Sequence, residues 1–255
     1  MKLKSIVIKI LAVFFWLAVW QIASTAVGLE IILPSPVTTF LTLLKLAETG
    51  EFWLSCGESI LRILAGLFVG ATVAVLLAMA THSSKIIHAL FSPLLTVIKS
   101  TPIASFIILA LIWIGRETVP SFTTSLIVLP IVWSATHHSI EEVDASLLEM
   151  TKVFRFTRTE KLKHLYFPSV FPSFMSAFMT SVGMAWKAGV AAEVLCTPRF
   201  SIGTFIFESK KYLETPELFA WTATVIIFSL AIEKLLYRVC SPFISSKRRL
   251  SKEEQ

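Results

Sequence analysis

Long apolar runs separated by short polar segments make up most of this chain. A helix that crosses a bilayer needs about 20 mostly apolar residues, because the hydrocarbon core is about 30 Å thick. The pattern therefore predicts an all-α integral membrane protein, with a single transmembrane domain over residues 1–255 and six spans. The predicted spans are residues 6–27, 59–80, 86–114, 119–135, 174–196 and 219–239.

Prolines predict irregular backbone near the first and third spans. Leu33-Pro34-Ser35-Pro36 predicts a rigid break, followed by a weakly amphipathic surface helix over residues 37–54 outside the membrane. In the third span, Pro93 and Pro102 each remove a backbone donor, so this span is predicted to break near both. Such irregularity at membrane depth is tolerated where the backbone is buried or lines a cavity.

Two of the predicted spans carry a small residue at every fourth position. In span two these are Gly66, Gly70, Ala74 and Ala78, and in span five they are Ala177, Ser181, Ala185 and Gly189. This spacing places small side chains on one helix face, where a neighbouring helix can approach closely. We expect span two to pack tightly through this face, and span five to use its face against a second subunit.

The longest polar segment between two spans is residues 137–172. Ser139 and Glu142 have the spacing of a capping box, which predicts the start of a helix. Residues then recur at helical spacing at Leu147, Leu148, Thr151 and Phe154. Two short helices joined near residues 155–157 would present a surface to a partner protein. An ordinary solvated amphipathic loop is the alternative that this pattern leaves open.

Composition and charge narrow the protein class and predict its orientation. With 55% hydrophobic and 16% charged residues, the chain has no room for a separate soluble domain. Basic residues favour cytoplasmic segments, and they concentrate near the N-terminus, in residues 137–172 and in the tail Lys247-Arg248-Arg249. The bias predicts that both termini and the 137–172 loop are cytoplasmic. The net charge of +6 is no sign of nucleic-acid binding, because the basic residues flank apolar segments.

The sequence contains no recognisable catalytic or metal-binding motif. There is no phosphate-binding loop, so the chain is not expected to hydrolyse ATP by itself, and no enzyme activity or cofactor is predicted. Cys56, Cys196 and Cys240 are far apart and indicate neither a zinc site nor a disulfide framework. The five histidines lie near the inner ends of spans without ligand spacing, so no metal site is predicted.

Charged residues inside the predicted spans are candidates for a solute path. Lys187 lies near the middle of span five, where a charge is costly and usually faces a bundle interior or a water-filled cavity. It could bind or gate an anionic solute, or it could form a structural ion pair. Lys99, beside the break at Pro102, could line the path or snorkel to the interface. Glu193 is a further path candidate, although it points elsewhere around the helix.

At the outer end of span two, Glu58 and Arg62 are four residues apart and are expected to form an ion pair.

One loop motif resembles a known family. Glu149-Met150-Thr151, then Arg155, then Phe167-Pro168, resembles the EAA loop of permease subunits in binding-protein-dependent ABC importers. That pattern reads Glu-Ala-Ala, three residues, Gly, and about a dozen residues later an apolar residue and Pro. Here Met150 and Thr151 replace the alanines, and Arg155 stands where glycine is expected.

Four further segments resemble this family in their order and spacing. They are Leu33-Pro34-Ser35-Pro36, Ser59-Ile60-Leu61-Arg62 with Gly66, Lys99-Ser100-Thr101-Pro102-Ile103-Ala104, and Gly183-Met184-Ala185-Trp186-Lys187-Ala188-Gly189-Val190-Ala191-Ala192-Glu193. The last is similar to the sulfonate, taurine and nitrate branch. The resemblance covers about residues 30–240.

The resemblance implies a type I ABC importer permease fold with a cytoplasmic coupling helix at Glu149. Residues implied to dock the ATPase subunit are Glu149, Met150, Thr151, Phe154, Arg155, Phe167 and Pro168. The implied partners are this ATPase, an external solute-binding protein, a second permease subunit, commonly an identical copy, and the lipid of a bacterial cell (inner) membrane. The implied solute is a small anion such as a sulfonate, taurine, nitrate or bicarbonate.

Three alternatives to an anion importer remain open from the sequence. The same importer class also serves vitamin precursors, such as a thiamine pyrimidine or a riboflavin-like compound. A stand-alone secondary transporter or channel is the alternative from another class, although such proteins often carry paired intramembrane acids. A non-transporting membrane scaffold would leave Lys187 and the proline-broken third span unexplained.

Overall fold

The computed structural model describes residues 2–244, which are helical apart from short connections and contain no strand. Within that range eleven α-helices follow one another: α1 Lys2–Val27, α2 Pro36–Ala47, α3 Gly50–Ser83, α4 Lys85–Ser100, α5 Ile103–Trp113, α6 Val119–Glu141, α7 Ala145–Val153, α8 Arg158–Lys161, α9 Phe167–Cys196, α10 Ile202–Lys211 and α11 Thr215–Ile244. A π-helical turn, Leu162–Tyr166, joins α8 to α9. The tail Lys247-Arg248-Arg249 lies outside the described residues.

Four helices in the described range are long and apolar enough to cross a membrane: α1 from Ile10, α3, α6 and α11 as far as Arg238. The α4–α5 pair would make a fifth span, bent by 109° at its break. The α9 helix, which contains the predicted fifth span, has 30 residues but does not reach the same hydropathy. The chain is thus a multi-pass membrane protein, and six spans with both termini inside remain a proposal.

The surface helix predicted over residues 37–54 ends earlier than predicted, because two helices divide this segment. Ser35 accepts a hydrogen bond from the backbone N–H of Thr38, and Pro36 occupies the first turn of α2, where its missing N–H costs nothing. The α2 helix ends at Ala47. Thr49 then caps a new helix by accepting from the N–H of Phe52, so residues 50–54 belong to α3.

The third predicted span breaks at only one of its two prolines. Pro93 lies inside the continuous helix α4, so the predicted break there is wrong. The break at Thr101–Pro102 is confirmed, since Thr101 has extended backbone with ψ of 135°. A residue before proline is driven away from helical geometry by the proline ring, which accounts for Thr101.

Helix α6 runs to Glu141 and takes in the first five residues of the predicted polar loop. Ser139 is buried inside this helix, so the capping box predicted at Ser139 and Glu142 is wrong. The next helix, α7, begins instead after Asp144, whose Oδ1 accepts from the N–H of Ser146 at 2.8 Å.

Helices α3, α6 and α9 form the centre of the fold, and α3 meets α6 through the predicted small-residue face. A Cβ added at Gly66 would lie 2.2 Å from the backbone oxygen of Ser121, and one at Gly70 would lie 2.7 Å from that of Ser125. Ala74 and Ala78 are fully buried in the same core. The close packing predicted for this face is therefore confirmed.

The small-residue face of α9 is also buried, but within the same chain. Ser181 and Ala185 have no exposed surface, and a Cβ added at Gly189 would lie 2.5 Å from Cγ1 of Ile63 in α3 and 3.0 Å from Oγ1 of Thr124 in α6. The predicted contact of this face with a second subunit is wrong, because α3 and α6 already occupy it.

In contrast to the central helices, α1 leaves most of its apolar surface uncovered. Its side-chain hydrogen bonds to the rest of the chain come from Trp20 and Ser24, which donate to the backbone oxygens of Pro34 and Leu33 at 3.0 Å and 2.9 Å. This surface is available to lipid or to another protein.

Candidate functional site

Helix α7 carries an exposed apolar stripe. Leu147, Met150 and Phe154 follow the spacing i, i+3 and i+7, and their exposed fractions are 40%, 44% and 67%. Apolar residues at this spacing are the anchors by which a short helix binds in a groove on another protein. Glu149 is also exposed and lies beside Met150, which adds a charge to the edge of the stripe.

Thr151 faces the other way. Its side chain is 1% exposed, and its Oγ1 donates to the backbone oxygen of Leu148. The expectation that Thr151 docks a partner is therefore corrected, because its side chain is buried within the chain. The interpretation of Leu147, Leu148, Thr151 and Phe154 as one helix face is corrected in the same way. The outward apolar residues are Leu147, Met150, Val153 and Phe154.

The turn after α7 places Arg155 where the resemblance expects glycine, and Arg155 has a φ of +53°. The backbone N–H of Phe156 donates to the oxygen of Thr151 at 2.9 Å, which is the long hydrogen bond of a Schellman helix end. Glycine is favoured at this position since it lacks a Cβ. The turn after α7 therefore has a geometry that favours glycine, and Arg155 adopts it in this chain.

A hydrogen-bonded acid takes part in the N-terminal cap of each short helix of the loop, Asp144 in α7 and Glu160 in α8. Glu160 accepts from the N–H of Thr157 at 2.7 Å, while Thr157 caps α8, so the two form a capping box. This bond and the hydroxyl of Thr157 lower the pKa of Glu160 below its ordinary value. The backbone N–H of Ser146 likewise lowers the pKa of Asp144.

The α8 segment continues through the π-helical turn into α9, where Phe167 and Pro168 are exposed at the first residues. Phe167 and Pro168 thus lie at the far end of the loop from Glu149. The two short helices predicted on either side of residues 155–157 are confirmed as α7 and α8.

A small cavity lies at the break between α4 and α5. It encloses about 130 Å³, and its lining includes Lys99 of α4, Thr101 at the break, Ile103 of α5, Thr123 of α6 and Met184 of α9. The irregular backbone around Pro102 thus lines a cavity, as expected at membrane depth. Lys99 and the hydroxyls of Thr101 and Thr123 are its polar groups.

Lys187 is exposed on α9, three residues after Met184, so the two side chains lie on neighbouring parts of one helix face. Neither Lys187 nor Lys99 has an ion-pair or side-chain hydrogen-bond partner in the part of the chain that is described. Lys99 therefore carries an unpaired positive charge at the α4–α5 break, and Lys187 carries another on the exposed side of α9.

Glu193 lies apart from this cavity, because its side chain is completely buried between α3, α9 and α10. Its Oε2 accepts from the hydroxyl of Ser59 at 2.8 Å and from the N–H of Gly203 at 3.3 Å. This location differs from the predicted one on a solute path. Glu193 instead connects three helices.

Arg62 extends the Glu193 contacts to two loops. The predicted ion pair with Glu58 is confirmed at 3.5 Å, and a closer one forms with Glu117 at 3.0 Å. Arg62 also donates to the backbone oxygens of Phe200 and Arg199, and its Nη1 lies 3.9 Å from Glu193 Oε1. Sequence reasoning missed Glu117, because no local pattern relates residues 55 positions apart.

Two histidines contribute to an aromatic stack near the C-terminal end of α6. The ring of His137 stacks against the rings of His88 and Trp133, at centroid distances of 4.8 Å and 5.2 Å. No group of three or more His, Cys, Asp or Glu within residues 2–244 is arranged to hold a metal ion.

Residues 63–239 match the family described as binding-protein-dependent transport system inner membrane component. Curated relatives include the putative aliphatic sulfonates transport permease protein SsuC of Bacillus subtilis, 28% identical over 84% of this chain and 76% of the relative. The taurine transport system permease protein TauC of Escherichia coli is 21% identical over 84% and 80%. The bicarbonate transport system permease protein CmpB of Synechococcus elongatus is 21% identical over 82% and 78%.

Proposed function

The chain belongs to the family of inner membrane components of binding-protein-dependent transport systems, and on this premise we propose that it is the permease subunit of an ATP-driven importer for a small anion. In this proposal a separate ATPase subunit supplies energy, and an external binding protein delivers the solute. Two copies of the chain form the path across a bacterial cell (inner) membrane. Relatives named for sulfonates, taurine and bicarbonate support the choice of an anion.

The exposed stripe of α7 is the observation that carries this proposal. Leu147, Met150 and Phe154 leave a nine-residue helix with its apolar side uncovered, although the same helix buries Thr151 on its other side. A short helix of this kind gains most by entering a groove on a partner. We assign that groove to the ATPase subunit and the charge at its edge to Glu149.

The packing of the core supports transmission of movement from α7. The α3, α6 and α9 helices approach too closely at Gly66, Gly70 and Gly189 to slide past one another, since packed interfaces resist continuous deformation. At their other end, Arg62 joins α3 to the loops that contain Glu117 and Phe200. ATP-driven closure of the ATPase dimer would then move these helices as one body between inward and outward access.

Charge reversal at Glu149 tests the coupling role. Glu149→Lys should leave the chain folded but lower ATPase retention in a mild-detergent pull-down by at least about tenfold, the change that 1.4 kcal/mol of lost binding produces. Solute uptake should fall in parallel. Retention is measured by quantitative mass spectrometry of the copurified ATPase, and uptake by vesicles that contain the binding protein.

Glu48→Lys is the matched control, because Glu48 is an exposed acid at the end of α2, far along the chain from α7. This variant should retain the ATPase and transport normally. Normal uptake by Glu149→Lys with its ATPase bound would contradict the coupling role. Uptake by the purified chain alone, driven by an ion gradient, would instead support a secondary transporter.

Lys99 and Lys187 support an anionic solute. Both are cations without a partner in the described residues, and Lys99 lines the cavity beside Pro102. A charge at membrane depth is retained where it faces a cavity or a solute. We propose that these two residues line the path, and that the α4–α5 break opens it.

Neutralisation of Lys187 tests the anion path. Lys187→Gln should lower uptake of a labelled alkanesulfonate about tenfold or more, while retention of the ATPase stays unchanged, because a lost charge-assisted hydrogen bond costs about 1.5–3 kcal/mol. Lys210→Gln, at an exposed lysine on α10, is the control. Equal uptake by both variants would contradict the proposed place of Lys187 on the solute path. Uptake of an uncharged vitamin precursor would contradict the proposal that the solute is an anion.

A further inference from the structure

A long apolar groove runs between α3 and α9. One cavity of about 550 Å³ is bounded by Met79 and His82 of α3, Ile140 of α6 and Tyr166 and Phe171 near the start of α9. A second cavity of about 420 Å³ extends it toward Phe68 and Phe178. Val75 and Phe174 line both, so the two cavities form one groove.

The dimensions of the groove match one leaflet of a membrane. From Ser83 to Phe68 it follows 15 residues of α3, or about 22 Å at 1.5 Å per residue. One leaflet contributes about 15 Å of hydrocarbon plus its interfacial region. The lining is almost wholly aliphatic and aromatic, so it would bind a small anion poorly and an acyl chain well.

The mouth of the groove is basic. Arg158, Lys161, Lys163 and His164 precede or occupy the π-helical turn, and the turn places Leu162 and Tyr166 in the groove wall. Lys163 lies one turn before Phe167, which also lines the groove. Within residues 2–244 no hydrogen bond or ion pair engages the side chains of Lys161 and Lys163. The acid of this segment, Glu160, is already bonded to Thr157.

From these observations we propose that the groove binds an anionic phospholipid, with an acyl chain along α3 and α9 and its phosphate at Lys161 and Lys163. Basic residues beside an apolar surface attract the anionic lipids of the cytoplasmic leaflet. The ring of His82 lies edge-on to that of Tyr166, at 6.4 Å between centroids, and so connects α3 to the rim of the mouth. This proposal relies on the cytoplasmic location proposed for this loop, but it does not depend on which solute is transported.

A photoreactive phosphatidylglycerol with a diazirine in its acyl chain tests this site. The purified permease–ATPase complex is reconstituted in phosphatidylcholine vesicles that contain a trace of this probe, or of the matching phosphatidylcholine probe. After illumination, labelled peptides are mapped by mass spectrometry. The phosphatidylglycerol probe should label peptides from residues 68–83 and 162–178 at least about fivefold more than the phosphatidylcholine probe.

Two variants separate the headgroup site from the groove. Lys161→Gln with Lys163→Gln removes both positive charges and should reduce labelling by the anionic probe to the level of the phosphatidylcholine probe. Val170→Trp places a large ring in the groove and should abolish labelling by both probes. Lys210→Gln with Lys211→Gln removes the same charge from α10 and should leave labelling unchanged.

The proposal would be overturned by equal labelling with the two probes, or by labelling that the lysine substitutions at the mouth do not change. Cross-links through Val170→Cys between two copies of the chain would also overturn it, because a second copy would then fill the groove. Retention of the ATPase is measured on the same samples. Loss of the ATPase would count against the proposed importer. The difference in labelling between the two lipid probes would still decide whether the groove binds an anionic phospholipid.

Discussion

At the scale of single residues, Glu193 illustrates why a buried carboxylate is tolerated in this protein. A buried charge is costly unless it is paired and hydrogen-bonded. Glu193 receives hydrogen bonds from Ser59 and Gly203, and the guanidinium of Arg62 lies nearby. The same contacts join α3, α9 and α10, so the cost of burial is offset by tertiary connections.

Replacing Glu193 by two side chains of similar size should separate hydrogen bonding from packing. Glu193→Gln keeps an acceptor for Ser59 and Gly203, so we expect a loss of about 1 kcal/mol. Glu193→Leu leaves both donors buried without an acceptor, and about 2–4 kcal/mol should be lost. The thermal unfolding midpoint in detergent measures the difference. Equal midpoints for the two variants would mean that the hydrogen bonds contribute nothing.

At the scale of the helix, contact between α3 and α6 depends on the absence of a Cβ at two positions. The nearest atoms to such a Cβ at Gly66 are backbone atoms and a Cβ, which cannot rotate away. By contrast, Gly57 in the same helix has no atom within 4 Å of that position. The chain therefore contains a matched pair of glycines in one helix, one packed and one open.

Gly66→Ala should destabilise the protein by about 1–3 kcal/mol, because the added methyl group forces α3 and α6 apart. Gly57→Ala should be neutral or stabilising by up to about 1 kcal/mol, since alanine is the better helix former. Unfolding midpoints of the two variants, compared with the unmodified protein, measure both effects. A Gly66→Ala variant as stable as Gly57→Ala would contradict the close approach of the two helices.

The loop helices should lose protection in acid. Because backbone hydrogen bonds lower the pKa of Asp144 and Glu160 in the folded chain, each carboxylate stabilises its helix above its ordinary pKa. This stabilisation is lost as the pH falls through the lowered folded values. Amide hydrogen-exchange protection factors across residues 144–161 should therefore be constant from pH 7 to about 5 and fall below about 4.

Asp144→Asn with Glu160→Gln is the control for this pH effect. Asparagine is a good helix cap, and glutamine can complete a capping box, but neither side chain titrates. The double variant should therefore keep its protection factors as the pH falls. An identical decline in the variant and the unmodified protein would show that other groups cause it.

At the scale of the whole molecule, the orientation in the membrane can be tested with cysteines. Cys56, Cys196 and Cys240 are free and buried, so native thiols should react slowly. An impermeant maleimide should label Gly115→Cys in intact spheroplasts, because the α5–α6 loop is proposed to lie outside. Lys152→Cys on α7 should be labelled only after the membrane is opened.

Both cysteine variants should react equally after permeabilisation, which checks that each thiol is exposed. Labelling of Lys152→Cys in intact spheroplasts would place the proposed coupling helix outside and contradict the N-in, C-in topology. Labelling of both variants from the outside would mean that α6 does not cross the membrane.

Much of the helical architecture could be predicted from local sequence. The apolar run in α3, its four-residue repeat of small side chains and the break at Thr101–Pro102 all follow from periodicity and proline geometry. One prediction failed where a helix-capping residue lies inside a longer helix. Ser139 is a good helix cap by type, yet it lies buried inside α6, because the helix continues along its packed face.

The candidate site was only partly predictable. The motif around Glu149 located α7, but the sequence could not tell which side of so short a helix would be covered, and Thr151 is the buried one. Lys187 and Glu193 are both charged residues in the predicted fifth span, six positions apart, so the sequence alone predicts the same kind of location for each. Only the surrounding helices distinguish them, since one is exposed and the other fully buried.

By itself, the sequence determined that this protein is a helical membrane protein of an importer family, because composition, apolar run length and motif order are local properties of the chain. The tertiary structure alone decided that α9 packs its small-residue face inside its own chain. It also decided that Arg62 reaches Glu117. Such contacts join residues far apart in sequence, and their energies depend on burial and distance, which no local pattern records.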